Sequence, residues 1–234
     1  MEGFGIIISK LNKVDEINSV LRGEKMNITE FWNSNNDQQW KGKLNNYWSF
    51  VKPENFKLEK KMDCLDSNKI QVMSANEFYR FLNEEYYVWK YTAKNRSATT
   101  RKSLQKYMIQ DEMNELEAIH QKIFSFDLND AAKGLSIALK IRGLGTAGAS
   151  GLLALLYPEY FGTVDQHVVK ALNRVENLSQ KNDVMRINPD GIKLEEAALL
   201  IQIMREKAKA LNSVNNTSFW TPRKIDMVLL WADR

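Results

Sequence analysis

Ile141-Arg142-Gly143-Leu144-Gly145-Thr146-Ala147-Gly148-Ala149-Ser150 and, further on, Thr163-Val164-Asp165-Gln166-His167-Val168 decide how this chain is read. Gly143 and Gly145 flank Leu144. Glycine tolerates positive φ and lets another backbone come close, so the trio predicts a tight turn. Ala147, Gly148, Ala149, Ser150, Gly151 and Ala154 are small, and predict a helix that its neighbours approach closely. Asp165 precedes Val168, Val169, Leu172 and Val175, whose spacing predicts the next helix. As the N-cap of that helix, its carboxylate would accept from free backbone N–H groups, a contribution of about 0.5–2 kcal/mol.

Working outward, Asp130 to Lys140 predicts an amphipathic helix carrying Ala131, Leu135, Ala138 and Leu139, which runs straight into the turn. Leu116, Ile119 and Ile123 mark a helix from about Glu112, and Leu104, Tyr107 and Met108 one from about Thr99. Ser74 with Glu77 three residues later forms a capping-box pair. The helix behind it places Phe78, Phe81, Leu82, Tyr86 and Trp89 near one face. Trp89-Lys90-Tyr91-Thr92-Ala93-Lys94-Asn95-Arg96 then reads as a basic, aromatic turn region. Downstream, Asn188-Pro189-Asp190-Gly191 is a turn signal, with a long amphipathic helix behind it through Leu194, Ala198, Ile201, Met204 and Leu211. Thr221-Pro222 starts a closing helix through Ile225, Leu229 and Trp231, in which Arg223 and Asp226 read as structural. Residues 9–70 are polar and hold Trp32, Trp40 and Trp48 at regular spacing. Such aromatics stack on bases or fill a core, and the core is the more common use. The fold class expected is all-α, with at most a small strand near Phe4–Ile8.

A chain of 234 residues can bury a real core, as one domain or two lobes. Its 44% hydrophobic and 26% charged residues place it with soluble globular proteins. The net charge of +4 permits a nucleic-acid partner without arguing for one, because what counts is how Lys and Arg cluster. Cys64 is the single cysteine, which excludes an internal disulfide and a Cys-only zinc site. His120 and His167 lie on different predicted helices, so no paired-His metal spacing arises. Ile6-Ile7-Ile8 is too short for a membrane span or a signal-peptide core. A cytoplasmic monomer with no membrane partner is expected.

From Ile141 to His167 the chain resembles the helix-hairpin-helix DNA glycosylase superfamily, which includes endonuclease III and the adenine glycosylases. The family pattern runs Leu-Pro-Gly-Val-Gly, an apolar helix, then Val-Asp-x-His, and it is met here without a gap. At its widest the resemblance covers about Glu77–Asn177. It implies a two-lobed helical fold. Residues 75–177 would form the lobe with the hairpin and the acid, and residues 1–74 plus 178–234 a second lobe made by both chain ends. It implies double-stranded DNA as partner, held at a phosphate by the backbone of Gly143, Leu144, Gly145 and Thr146 and by the following helix N-terminus. A monovalent cation at the backbone carbonyls of Gly143 and Gly145 belongs to the same picture.

The resemblance makes Asp165 the catalytic carboxylate. Breaking an N-glycosidic bond builds positive charge on the deoxyribose, which a fixed carboxylate stabilises while orienting water. His167 would orient the loop without moving a proton. Lys90, Tyr91, Lys94, Asn95 and Arg96 fall where the family places a wedge loop that fills the gap left by a flipped nucleotide and meets phosphates. The other reading of that stretch is a solvated turn whose Trp89 and Tyr91 finish a core. Family members that also cut the strand use a lysine two residues after the second hairpin glycine. That position is Ala147 here, and nothing in the sequence favours Lys90 or Lys94 as a replacement. The function expected is a monofunctional DNA glycosylase, a base-excision-repair hydrolase. It would use no cofactor, and a lone cysteine rules out the four-cysteine iron–sulfur cluster of some members. The alternatives are a non-catalytic helix-hairpin-helix DNA-binding module and a protein-binding adaptor.

Overall fold

In the computed structural model, which describes residues 27–233, every regular element is helical. The strand expected at Phe4–Ile8 lies outside the described residues. Contacts divide the chain into residues 1–34 and Asn35–Arg234. In the first unit, the Asn27 side chain accepts from the N–H groups of Thr29 and Glu30 and starts α1 (Ile28–Asn33), where Trp32 is buried.

The second unit begins with α2 (Asp37–Tyr47), capped by Asn36. Two short 3₁₀ turns lead to α3 (Phe56–Asp63) and to α4 (Ser67–Gln71), capped by Asp66. The capping box at Ser74 forms as its sequence predicts: Glu77 accepts from the Ser74 backbone N–H at 2.9 Å and donates its own N–H to Ser74 Oγ. It starts α5 (Ala75–Phe81), which passes through a π-helical turn at Leu82–Tyr86 into α6 (Tyr87–Lys90). Such a turn holds an extra residue and changes the direction in which later side chains point. Then come α7 (Lys94–Ile109), α8 (Met113–Ile123) and α9 (Ala131–Ala138), the last capped by Asp130.

After the glycine turn follow α10 (Thr146–Leu156), α11 (Gln166–Asn173), α12 (Lys181–Val184), α13 (Leu194–Asn215) and α14 (Pro222–Asp233). Every residue of α10 from Gly148 to Leu156 is buried, as befits a helix that is apolar all round. α10 packs on α9, α13 and α14, while α14 also packs on α11 and α2. Trp40 of α2 meets Trp220 edge-on, with ring centroids 5.8 Å apart, and is fully buried. Trp48 is half-buried against Tyr47 and Phe56. The core reading of the tryptophans therefore fits their positions.

One boundary differs from expectation. α7 starts at Lys94, not near Thr99, so Lys94, Asn95 and Arg96 occupy a helical turn rather than a loop. Ala93 stands at the cap with no side-chain hydrogen bond, and Thr99 and Thr100 return their hydroxyls to the carbonyls of Asn95 and Arg96 instead of capping. Among the described residues no helix is long and apolar enough to cross a membrane.

Candidate functional site

Asp165 stands where the sequence places it, as the N-cap of α11. Its Oδ1 accepts from the N–H groups of His167 at 2.9 Å and Val168 at 3.3 Å. The loop that carries it is tied down twice. Val164 N–H donates to the buried Ser150 Oγ of α10 at 2.9 Å. Thr163 N–H donates to the buried carboxylate of Asp226 on α14. His167 Nδ1 lies 2.9 Å from Asp233 Oδ2, which fastens α11 to the end of α14.

Asp165 opens onto a cavity of about 230 Å³ lined by Tyr47, Glu59, Trp89, Lys90, Thr163, Val168, Arg223, Asp226 and Leu230. That volume is below the roughly 300–1,000 Å³ of a drug-sized site and suits one small ring system. One wall is a hydrogen-bonded set around Glu59. Tyr47 Oη donates to Glu59 Oε1 at 2.6 Å, and Trp89 Nε1 donates to Oε2 at 2.7 Å. Arg223 Nη1 donates to Asp226 Oδ1 at 2.8 Å, and its Nη2 lies 3.7 Å from Glu59. Nε and Nη2 of Arg223 are buried without a hydrogen-bond partner. Burial opposes the Arg223 charge, but Asp226, Tyr47 and Glu59 hold it firmly protonated. Burial outweighs Arg223 at Asp226, whose carboxyl is pushed up to about 6. Burial likewise lifts the Tyr47 phenol far above its usual range, so it stays a donor.

Lys90, at the end of α6, sends its amine into this cavity and away from solvent. A Cβ added to Gly151 of α10 would lie 3.2 Å from Nζ and 3.3 Å from Cε. Burial pulls the Lys90 ammonium below its ordinary range, against the pull of Asp165 and Asp226. Lys90 thus lines the cavity together with Asp165.

The glycine turn lies against α7 and shares a groove of about 560 Å³ with Asn95, Arg96, Thr99, Thr100 and Ser103. Gly143 has φ +91°, and a Cβ there would come 2.5 Å from the Thr100 carbonyl oxygen, so glycine is required. Gly145 is different. Its φ is −95° and a Cβ would meet open space, so a side chain there strains nothing. Leu144 is buried over Gly148, and its N–H donates to the Ile141 carbonyl, so it acts as a plug. The Thr146 hydroxyl donates to the Ile192 carbonyl at 2.8 Å and is turned inward. Tyr91 is half-buried, with its hydroxyl 3.4 Å from the Gly143 carbonyl. Arg142 is held by Glu112 and Glu115. Lys94, Asn95 and Arg96 are exposed on α7, which also carries Arg101, Lys102 and Lys106 and no acid. The cations of this region thus line a helix that borders the groove.

Glu59, Tyr47, Arg223, Asp226 and Thr163 were not marked by sequence reasoning as site residues. Arg223 and Asp226 carried a signal: two opposite charges three apart at the start of a helix whose following residues 227–232 are apolar, read as structural, are buried on the cavity wall. Comparison of the chain with protein-family models, with curated proteins and with solved structures returned no match.

Proposed function

We propose that this protein is a DNA glycosylase of the helix-hairpin-helix kind, which flips a modified base into the cavity and hydrolyses its N-glycosidic bond with Asp165. The observation that carries the reading is the cavity itself, which joins a helix-capping carboxylate to a small, partly open space walled by an indole, a phenol and paired charges. A base slid into such a space stacks on aromatic faces and meets fixed donors and acceptors. Asp165 accepts two backbone N–H groups, which fix its carboxylate at the mouth of the cavity, where an oxocarbenium would form opposite it. Ala147 offers no amine at the family's lysine position, so water takes the place of the base.

DNA would lie along the basic face of α7 and the groove beside Gly143 and Gly145. The uncapped N-terminus of α10 faces the phosphate there, and Arg96 and Lys94 neutralise charge. The open space at Gly145 leaves room for that approach. Two lobes are read within Asn35–Arg234: residues 75–177 with the hairpin, and the helices on either side of them, of which α14 packs on α2. Incubation with duplexes carrying a panel of modified bases, scored by release of free base, tests the proposal. Release from at least one duplex supports it. Tight duplex binding with no release from any would favour the non-catalytic module instead.

A further inference from the structure

We infer that Arg223 sets the specificity of the cavity, donating from Nε and Nη2 to a base that presents a carbonyl oxygen beside an unprotonated ring nitrogen. This deepens the reading of the cavity as a base pocket and rests on it. Arg223 lines the cavity and is 6% exposed. Its hydrogen bonds to Asp226 Oδ1 at 2.8 Å and Thr163 Oγ1 at 3.4 Å are both made by Nη1. Nε–H and one N–H of Nη2 lie side by side on a different edge of the planar group.

Among the described residues that edge has no hydrogen-bond partner. Nη2 comes within 3.7 Å of Glu59 Oε1, which is ion pairing at a distance too long for a hydrogen bond. The Glu59 oxygens accept instead from Tyr47 and Trp89. An arginine kept for charge balance alone would turn its two-donor edge onto that carboxylate. Buried donors are as a rule hydrogen-bonded, so this edge is one that an occupant of the cavity completes.

The surroundings define the occupant. An anion is disfavoured, because Glu59, Asp165 and Asp226 line the same cavity. A small flat ring is favoured, because Trp89 and Tyr47 form part of the wall and the volume is about 230 Å³. Two parallel N–H groups match two neighbouring acceptors, as when arginine reads O6 and N7 of guanine. A 6-oxopurine with a bare N7 offers this pair, and a cytosine ring offers it at O2 and N3. Uracil and thymine do not, because their N3 carries a hydrogen. Adenine places an amino group beside N7, and a purine oxidised at C8 carries a hydrogen on N7. Undamaged guanine and cytosine hold the pair too, but within a matched duplex they are the costlier bases to flip. Hypoxanthine and altered cytosines that keep O2 and N3 are therefore the substrates expected.

Calorimetric titration of the full chain with small methylated bases tests the inference apart from catalysis. The ligands are 9-methylhypoxanthine and its 7-deaza counterpart, and 1-methylcytosine and 1-methyluracil. In each pair the second compound lacks the acceptor ring nitrogen. The expected result is that 9-methylhypoxanthine or 1-methylcytosine binds about 10-fold or more tighter than its control. Which of the two does so tells a purine site from a pyrimidine site. The preference should vanish in Arg223→Lys protein, which keeps the charge and loses the edge, with its fold checked by helical circular dichroism. If that variant does not fold, the wild-type comparison decides alone. Equal binding within both pairs, no binding of any of the compounds, or a preference that persists in folded Arg223→Lys protein would overturn the inference. Base release from a modified duplex alongside such a result leaves the glycosylase reading standing. A free-base preference with no release from any duplex would keep the Arg223 site and remove the glycosylase.

Discussion

Asp226, on the last helix, accepts the backbone N–H of Thr163, two residues before Asp165. The carboxylate proposed to do the chemistry is therefore positioned by a second, buried carboxylate on a distant helix. That carboxylate in turn is held by Arg223.

The linkage has a pH signature. Asp226 in the folded protein is pushed up to about 6, above its ordinary 3.8, by burial and by Asp165, with Arg223, Lys90 and the Thr163 N–H opposing. The folded state holds this proton to higher pH than the unfolded chain does. The stability the group contributes is full below about pH 4 and is lost as pH rises through about 6. Melting curves of wild-type and Asp226→Asn protein should show the wild-type advantage shrinking between these limits. An advantage that grows over the same range contradicts the assignment.

The two turn glycines separate stability from binding. Gly143→Ala forces a side chain into positive φ and against the Thr100 carbonyl. A loss of about 1–3 kcal/mol in chemical denaturation is expected. Gly145→Val meets open space and should leave the midpoint nearly unchanged while weakening duplex binding, because it fills the approach to the α10 N-terminus. Equal destabilisation by both changes would mean that the turn is placed differently.

If duplex DNA binds as proposed, charge on α7 sets the salt dependence. Arg96→Ala should weaken binding to all duplexes alike and lower the slope of log affinity against log salt by about 1, as for one phosphate contact. Titrations at several salt concentrations measure this. An unchanged slope would move the DNA path away from α7.

Local signals made part of this arrangement legible. Ser74 and Glu77, Asp130, and Asp165 each sit three or fewer residues from the N–H groups they satisfy, and all three helix starts form as read. The all-helical class follows from the same periodicities. The cavity walls were not legible, because Tyr47, Glu59, Lys90, Asp165 and Arg223 come from five separate stretches and meet only through packing. The π-helical turn at Leu82–Tyr86 interrupts the 3.6-residue period of the helix leading to Trp89 and Lys90, which no local sequence signal announces. The start of α7 was missed because Ala93 carries no capping side chain.

The central claim is that Asp165 cleaves the glycosidic bond. Asp165→Asn keeps an oxygen that can accept from His167 and Val168 N–H, so the helix start and the fold should survive. It removes the charge proposed to face the sugar. Single-turnover base release from the best modified duplex is the measurement. The account predicts a fall of roughly 100-fold or more, by analogy with removal of one transition-state partner, with duplex affinity largely intact. Equal rates of release from wild-type and Asp165→Asn protein would contradict it.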